Sequence, residues 1–201
     1  MPIVEGRQYR SVLGGLSAEA QQQDSSQLVI TGTPIVFGSR APLWEDADGK
    51  KTYEVIERGA LDGADMSDFI LNVEHQGRVY ARTRNKSLSL TVTPVDAQMR
   101  ALLDSNDEGH RQLYNDIKAG RLDRMSFSFR VDPDGYIFDE AASTLRVLRV
   151  KKLYDVSAVA FPVYDDTSIT ARSAFLVEDY RKRTLEQRKR RARALAYTYT
   201  F

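Results

Sequence analysis

Residues 122–131 read Leu-Asp-Arg-Met-Ser-Phe-Ser-Phe-Arg-Val, alternating two hydroxyl residues (Ser126, Ser128) with two large aromatics (Phe127, Phe129). Side chains along a strand point to opposite faces in turn, so the serines share one face and the phenylalanines the other. The aromatic face suits a core, and the serine face suits a cleft. A helix-like segment closing at Gly120 comes just before it, so candidate nucleophiles ride on a strand that leaves a turn.

Working outward, Asp132-Pro133-Asp134-Gly135 is a strong turn signal, after which Tyr136–Phe138 and Thr144–Leu153 read as a hairpin. Val156–Phe161 reads as a short buried strand closed by Pro162. On the other side, Leu113, Tyr114 and Ile117 mark a short helix with Gly120 as its stop. Thr93-Pro94-Val95-Asp96 looks like a helix start, and Val95, Met99, Leu102 and Leu103 follow helical spacing, so a helix is predicted there too. Strands are predicted at Leu28–Phe37, where Gly32 and Pro34 signal a bulge or an edge, and at Thr52–Glu57, Phe69–His75 and Leu88–Val92. Ser39–Lys51, which holds the lone Trp44, reads as a charged loop. The polar run Gln21–Ser26 has no apolar periodicity. The expected organisation is a flexible N-terminal segment (1–27), a catalytic-type domain (28–172) and a basic C-terminal helical tail (173–201). The fold class is α+β: one β-rich domain of about seven mostly antiparallel strands in a barrel or half-barrel, with flanking helices.

Composition narrows the function classes. No run approaches the roughly 18 apolar residues of a membrane span, and the first residues lack the apolar core of a signal peptide. Cysteine is absent, which removes disulfides, a thiol nucleophile and thiolate metal sites. A soluble intracellular protein without membrane contact is expected. The net charge of +1 hides an asymmetry: residues 178–201 hold eight basic and three acidic residues, leaving about −4 for the rest. The arginine clusters of that tail read as a solvated helix face rather than a nucleic-acid site, because no aromatics are interleaved with them.

Two histidines restrict the chemistry. His110 falls in a polar break and reads as a solvated loop residue, whereas His75 ends an apolar strand. Serine needs a neighbouring base to take its proton as it attacks a carbonyl. Histidine suits that task because it is neutral yet basic near pH 7. A carboxylate on the far ring nitrogen would fix the tautomer and stabilise the imidazolium. Asp155, an acid among apolar neighbours, is the candidate; Glu74 and Asp123 are rivals, although Glu74 should face away from its strand neighbour His75. Zinc chemistry would need more His or Cys in spaced sets, and Gly14-Gly15 lacks the partners of a phosphate loop. No metal and no cofactor is expected.

At this point the chain resembles the prohead (procapsid maturation) proteases of tailed bacteriophages, distantly akin to the herpesvirus assemblins. The resemblance spans residues 28–172. It rests on Ile-Thr-Gly-Thr-Pro-Ile-Val-Phe ending at Phe37, Glu57-Arg58-Gly59-Ala60-Leu61, and the strand ending in His75. It continues through Ile117-Lys118-Ala119-Gly120 into Met125-Ser126-Phe127-Ser128-Phe129, and through Leu153-Tyr154-Asp155-Val156-Ser157 to Tyr164. The resemblance implies an assemblin-like (half-)barrel and a serine endopeptidase packaged inside the procapsid in the host cytoplasm. Its implied substrates are scaffold, the scaffolding segment of the major capsid protein, and itself; the portal and a second copy of the chain are further implied partners.

Carried over by position, His75 matches the family histidine, Ser126 the serine, and Asp155 the place where the family usually has Glu before Val-Ser. Ser128 replaces the usual glycine and adds a second hydroxyl to the same face, so Ser126 and Ser128 both stand as nucleophile candidates. Asp in place of Glu shortens the reach to His75 by one methylene, which allows a water-mediated contact. Oxyanion donors, worth on the order of 3 kcal/mol each, could be backbone amides near the serine or an arginine such as Arg172. Two other classes remain open: a non-catalytic head scaffold or structural protein of the same fold, and a nucleic-acid module using the tail.

Overall fold

A computed structural model describes residues 7–12, 15–20, 26–45, 48–160 and 167–198. Among them, strands β1 (Gln8–Val12), β2 (Leu16–Ala18), β3 (Gln27–Val36), β4 (Arg40–Glu45) and β5 (Lys51–Ile56) come first. β6 (Ile70–Val73), β7 (Gln76–Arg82), β8 (Leu88–Val92) and β9 (Asp96–Asp104) follow, then helix α1 (Glu108–Lys118). β10 (Arg124–Arg130), β11 (Tyr136–Asp139), β12 (Thr144–Val147) and β13 (Lys152–Val159) complete the sheets before helix α2 (Thr167–Thr198).

The strands form three sheets, ordered β1-β10-β13-β6-β7, β2-β3-β9-β8 and β11-β12-β5-β4. Pairing is antiparallel except for β13 with β6 and β12 with β5. The chain is thus α+β with mixed sheets, and it has more strands than the seven or so expected from sequence. Apart from β9, the surplus lies at sheet margins. β7 and β4 carry exposed and charged residues such as Arg78 and Arg40, so they lack the alternation that marks a strand. β1 and β2 lie within the first 27 residues, whose polar composition predicted no regular structure.

The predicted helix over 95–103 is strand β9. Its buried residues are Ala97, Met99, Ala101 and Leu103, a period of two. Met99 and Leu103 are four apart, a spacing that fits two strand repeats as well as one helical turn. Thr93 does accept the backbone N–H groups of Val95 and Asp96, at 3.2 and 3.1 Å, as an N-cap would. Here the same hydroxyl chemistry closes the turn from β8 into β9, with Thr93 N–H donating to Asp96 O.

Other signals fall where the sequence put them. The β3–β9 register shifts between Gly32 and Ile35. A Cβ on Gly32 would lie 2.3 Å from Met125 Sδ and 2.8 Å from Gly15 O, so glycine lets β3 approach the serine strand closely. α1 buries Leu113, Tyr114 and Ile117, and Gly120 follows it in the left-handed region at φ +69°. Phe127 and Phe129 stack at 5.1 Å on the core face of β10.

A second, smaller core joins Leu43, Tyr136, Phe138 and Leu145 to Leu176 and Val177 of α2. Around it, Tyr136 donates to Asp179 at 2.8 Å and Arg181 forks onto Glu140 with both contacts at 2.7 Å. Burial, and then the Asp179 carboxylate, push the Tyr136 phenol up to about 12. Residues 176–181 of α2 therefore seal the β11–β12 hairpin, and the densest arginine run, Arg188–Arg191, lies on the exposed part beyond. No helix among the described residues is long and apolar enough to cross a membrane.

Candidate active site

Three adjacent strands of one sheet bring the polar residues together. Antiparallel pairing sets Ser126 opposite Ser157 and Ser128 opposite Asp155. Parallel pairing of β13 with β6 then sets Ser157 opposite Asn72. Because alternation is strict, all of these side chains share the face opposite to Phe127 and Phe129.

His75 reaches this face from a turn rather than from a strand end. β6 and β7 are joined by a two-residue loop, with Val73 paired to Gln76. Its central residues have positive φ, 51° at Glu74 and 57° at His75, as a type I′ turn requires. Two non-glycine residues in that region cost on the order of 1 kcal/mol each, so surrounding contacts must hold the turn. Ala160 N–H donates to Glu74 Oε1 at 2.7 Å, and His75 N–H donates to Ser157 Oγ at 3.2 Å. Glu74 thus bonds Ala160; strand alternation, the expected ground for it to face away from His75, does not apply because both residues lie in the turn.

The ring sits between a carboxylate and a hydroxyl. His75 Nδ1 lies 2.5 Å from Asp155 Oδ1, and Nε2 lies 2.5 Å from Ser126 Oγ. A carboxylate only accepts, so Nδ1 carries the proton and Nε2 keeps its lone pair for Ser126. The shorter aspartate reaches the ring directly, without a bridging water. Asp155 is satisfied from every side: Ser128 donates to Oδ2, Ser157 to Oδ1 at 3.1 Å, and Arg7 Nη1 stands 3.6 Å from Oδ2. Ser157 Oγ is also 3.0 Å from His75 Nδ1 and within hydrogen-bond reach of Asn72 Oδ1, so its single proton has Asp155 Oδ1 and Asn72 Oδ1 as alternative acceptors.

The two serines therefore differ: Ser126 bonds the ring nitrogen and Ser128 bonds the carboxylate. Neither faces an open cleft, since both are 0% exposed and His75 only 4%. His110 lies at the start of α1 rather than in a loop; its Nδ1 accepts the Asp104 N–H at 3.0 Å and its ring lies 6.0 Å from that of Tyr80 on β7. Asp123 is exposed beside Arg124. Arg172 falls in a stretch whose side chains lie outside the described residues.

Sequence reasoning missed Ser157, Asn72, Arg7 and Tyr9. Ser157 and Asn72 share the period of Asp155 and Leu71–Val73, but only the parallel register joins them. Tyr9 packs edge-on against the His75 ring at 4.8 Å, from a strand that polar composition concealed. Among the described residues no group of three or more His, Cys, Asp or Glu could hold a metal ion.

A family model described as Caudovirus prohead serine protease matches residues 16–183, most of the chain. The chain belongs to that family. No curated protein and no solved structure matches it.

Proposed function

From that membership and the Ser126–His75–Asp155 arrangement, we propose that the chain is a serine endopeptidase that cuts virion structural proteins during phage head maturation. The observation that carries this is the ring of His75, bridged by 2.5 Å contacts between a serine hydroxyl and a carboxylate. Ser126 Oγ attacks the scissile carbonyl carbon as its proton passes to His75 Nε2. The tetrahedral intermediate collapses, the C–N bond breaks, and His75 returns the proton to the leaving amine. Water then hydrolyses the acyl-enzyme with His75 as base. Asp155 holds the tautomer and stabilises the imidazolium between the two transfers.

Ser128 serves Asp155 in this reading: its hydroxyl occupies the carboxylate oxygen that the ring does not use. Substrates are the scaffold, the scaffolding segment of the major capsid protein and the chain itself, met inside the procapsid. The exposed arginine-rich part of α2 serves targeting to the assembling shell or scaffold.

The test is processing of the co-expressed cognate capsid protein. Ser126→Ala and His75→Ala should each abolish it, and His110→Ala should leave it intact. Loss on His110→Ala alone, or normal processing by Ser126→Ala, would overturn the assignment.

A further inference from the structure

The edge of the serine strand is covered by β1, which touches Ser126 and His75, while Arg7, the residue just before it, reaches Asp155. Arg10 O lies 2.8 Å from Ser126 Oγ, the Tyr9 ring packs against His75, and Arg7 stands beside Asp155. With Ser126 fully buried, a substrate carbonyl has no approach while β1 is in place. The Ser126 hydroxyl has one proton, and both His75 Nε2 and Arg10 O lie within its reach. The strand's carbonyl thus competes with the base for that proton.

β1 is the terminal strand of its sheet, paired antiparallel to β10 with Ser11 opposite Ser126. An extended peptide adds to an exposed sheet edge in this manner. The residue whose carbonyl meets Ser126 also sends its side chain into a built pocket. Arg10 is 3% exposed, forks onto Glu54 through Nε and through Nη2 at 2.6 Å, and packs 5.7 Å from the Phe129 ring. Glu54, on β5, is itself 2% exposed. A buried ion pair gives little net stability over apolar packing, but removing one member strands the other's charge in a dry site. Any segment that replaces β1 must therefore bring a cation to Glu54. The bidentate fork fits guanidinium and not the point charge of lysine.

We propose that β1 stands in the substrate's place: substrate binds as an antiparallel strand on the β10 edge, and Glu54 selects arginine at the residue whose carbonyl faces Ser126. This rests on the peptidase reading and adds its specificity. The bond cut is the peptide bond following that arginine, hydrolysed by water through the acyl-enzyme steps given above. Glu54 is then the specificity residue, and β1 a resident competitor that must leave before an external strand can enter.

The test uses the full chain and two capped peptides, Gln-Tyr-Arg-Ser-Val and its counterpart with alanine for arginine. Arg10→Ala weakens the resident strand, so it should cut the arginine peptide at least about tenfold faster than wild type does. It should prefer that peptide over the alanine one by about 100-fold or more, and adding Glu54→Gln should erase the preference. A folded Arg10→Ala chain no faster than wild type, or indifferent to the arginine, would overturn the proposal. Should Arg10→Ala fail to fold, hydrogen exchange on the wild-type chain decides. The arginine peptide should speed exchange of the amides of residues 8–12 and the alanine peptide should not; equal effects overturn the proposal. Ser126-dependent capsid processing without arginine preference sinks this inference and leaves the peptidase standing. Arginine-dependent displacement of β1 without any hydrolysis overturns the peptidase reading and with it the cleavage step, and leaves only the arginine-selective strand site.

Discussion

The β10 sheet and the β3–β9 sheet use one device, strict alternation, to bury opposite chemistry. In the second, the inward positions are Leu28, Ile30, Met99, Ala101 and Leu103, each stabilising the fold by leaving water. In the first, one face buries Ser126, Ser128, Asp155, Ser157 and Asn72. Those groups gain nothing from leaving water and must bond one another, because an unpaired buried polar group costs roughly 1–3 kcal/mol. The closed network of hydroxyls, carboxylate and imidazole is the result. The β10 sheet thus pairs an apolar core face (Phe127, Phe129, Val156) with a closed polar one, and the proposed chemistry is drawn from the polar face.

Substitutions can break this division or sharpen it. Among the residues that support Ser126 and His75, the largest effect is expected at Asp155→Asn, where the carboxylate becomes an amide that no longer dictates the His75 tautomer. Its processing rate should fall roughly 10⁴-fold with the fold intact, as judged by circular dichroism and the rate of capsid-protein cleavage. A loss under tenfold would mean that the network is structural only. Met99→Ala should do the converse: about 2–5 kcal/mol off the unfolding free energy in urea, with an unchanged rate per folded molecule. A rate loss in the folded variant would show that the apolar sheet also tunes the site. The smallest effect belongs to Ser128→Ala, which removes one bond to Asp155 and should slow processing by less than about tenfold.

How much of this was legible in the sequence depended on the range of the signal. The Ser/Phe alternation, the Gly32 bulge and the Gly120 stop are local, and the structure carries each of them. The residues of the cluster could be named because the chain has only two histidines to serve as a base for serine. Their setting could not. His75 was expected at a strand end, yet it occupies a left-handed turn position held by Ser157 and by the Glu74 contact, neither visible in a linear reading. The strand over 96–104 reads as a helix in the sequence because a four-residue apolar spacing satisfies both periods. β1 is hidden in the sequence for a different reason: Gln8, Tyr9 and Arg10 look like a solvated segment, and only pairing with β10 and the distant Glu54 buries them. Glu54, one acid inside a short strand, gave no signal at all before its partner was placed.

The most direct measurement is intact mass of the major capsid protein after co-expression with wild type, Ser126→Ala and Ser128→Ala. Truncated capsid protein with wild type and Ser128→Ala, and only full-length protein with Ser126→Ala, is the predicted result. Truncation that persists with Ser126→Ala, or full-length capsid protein beside folded wild-type chain, would contradict it.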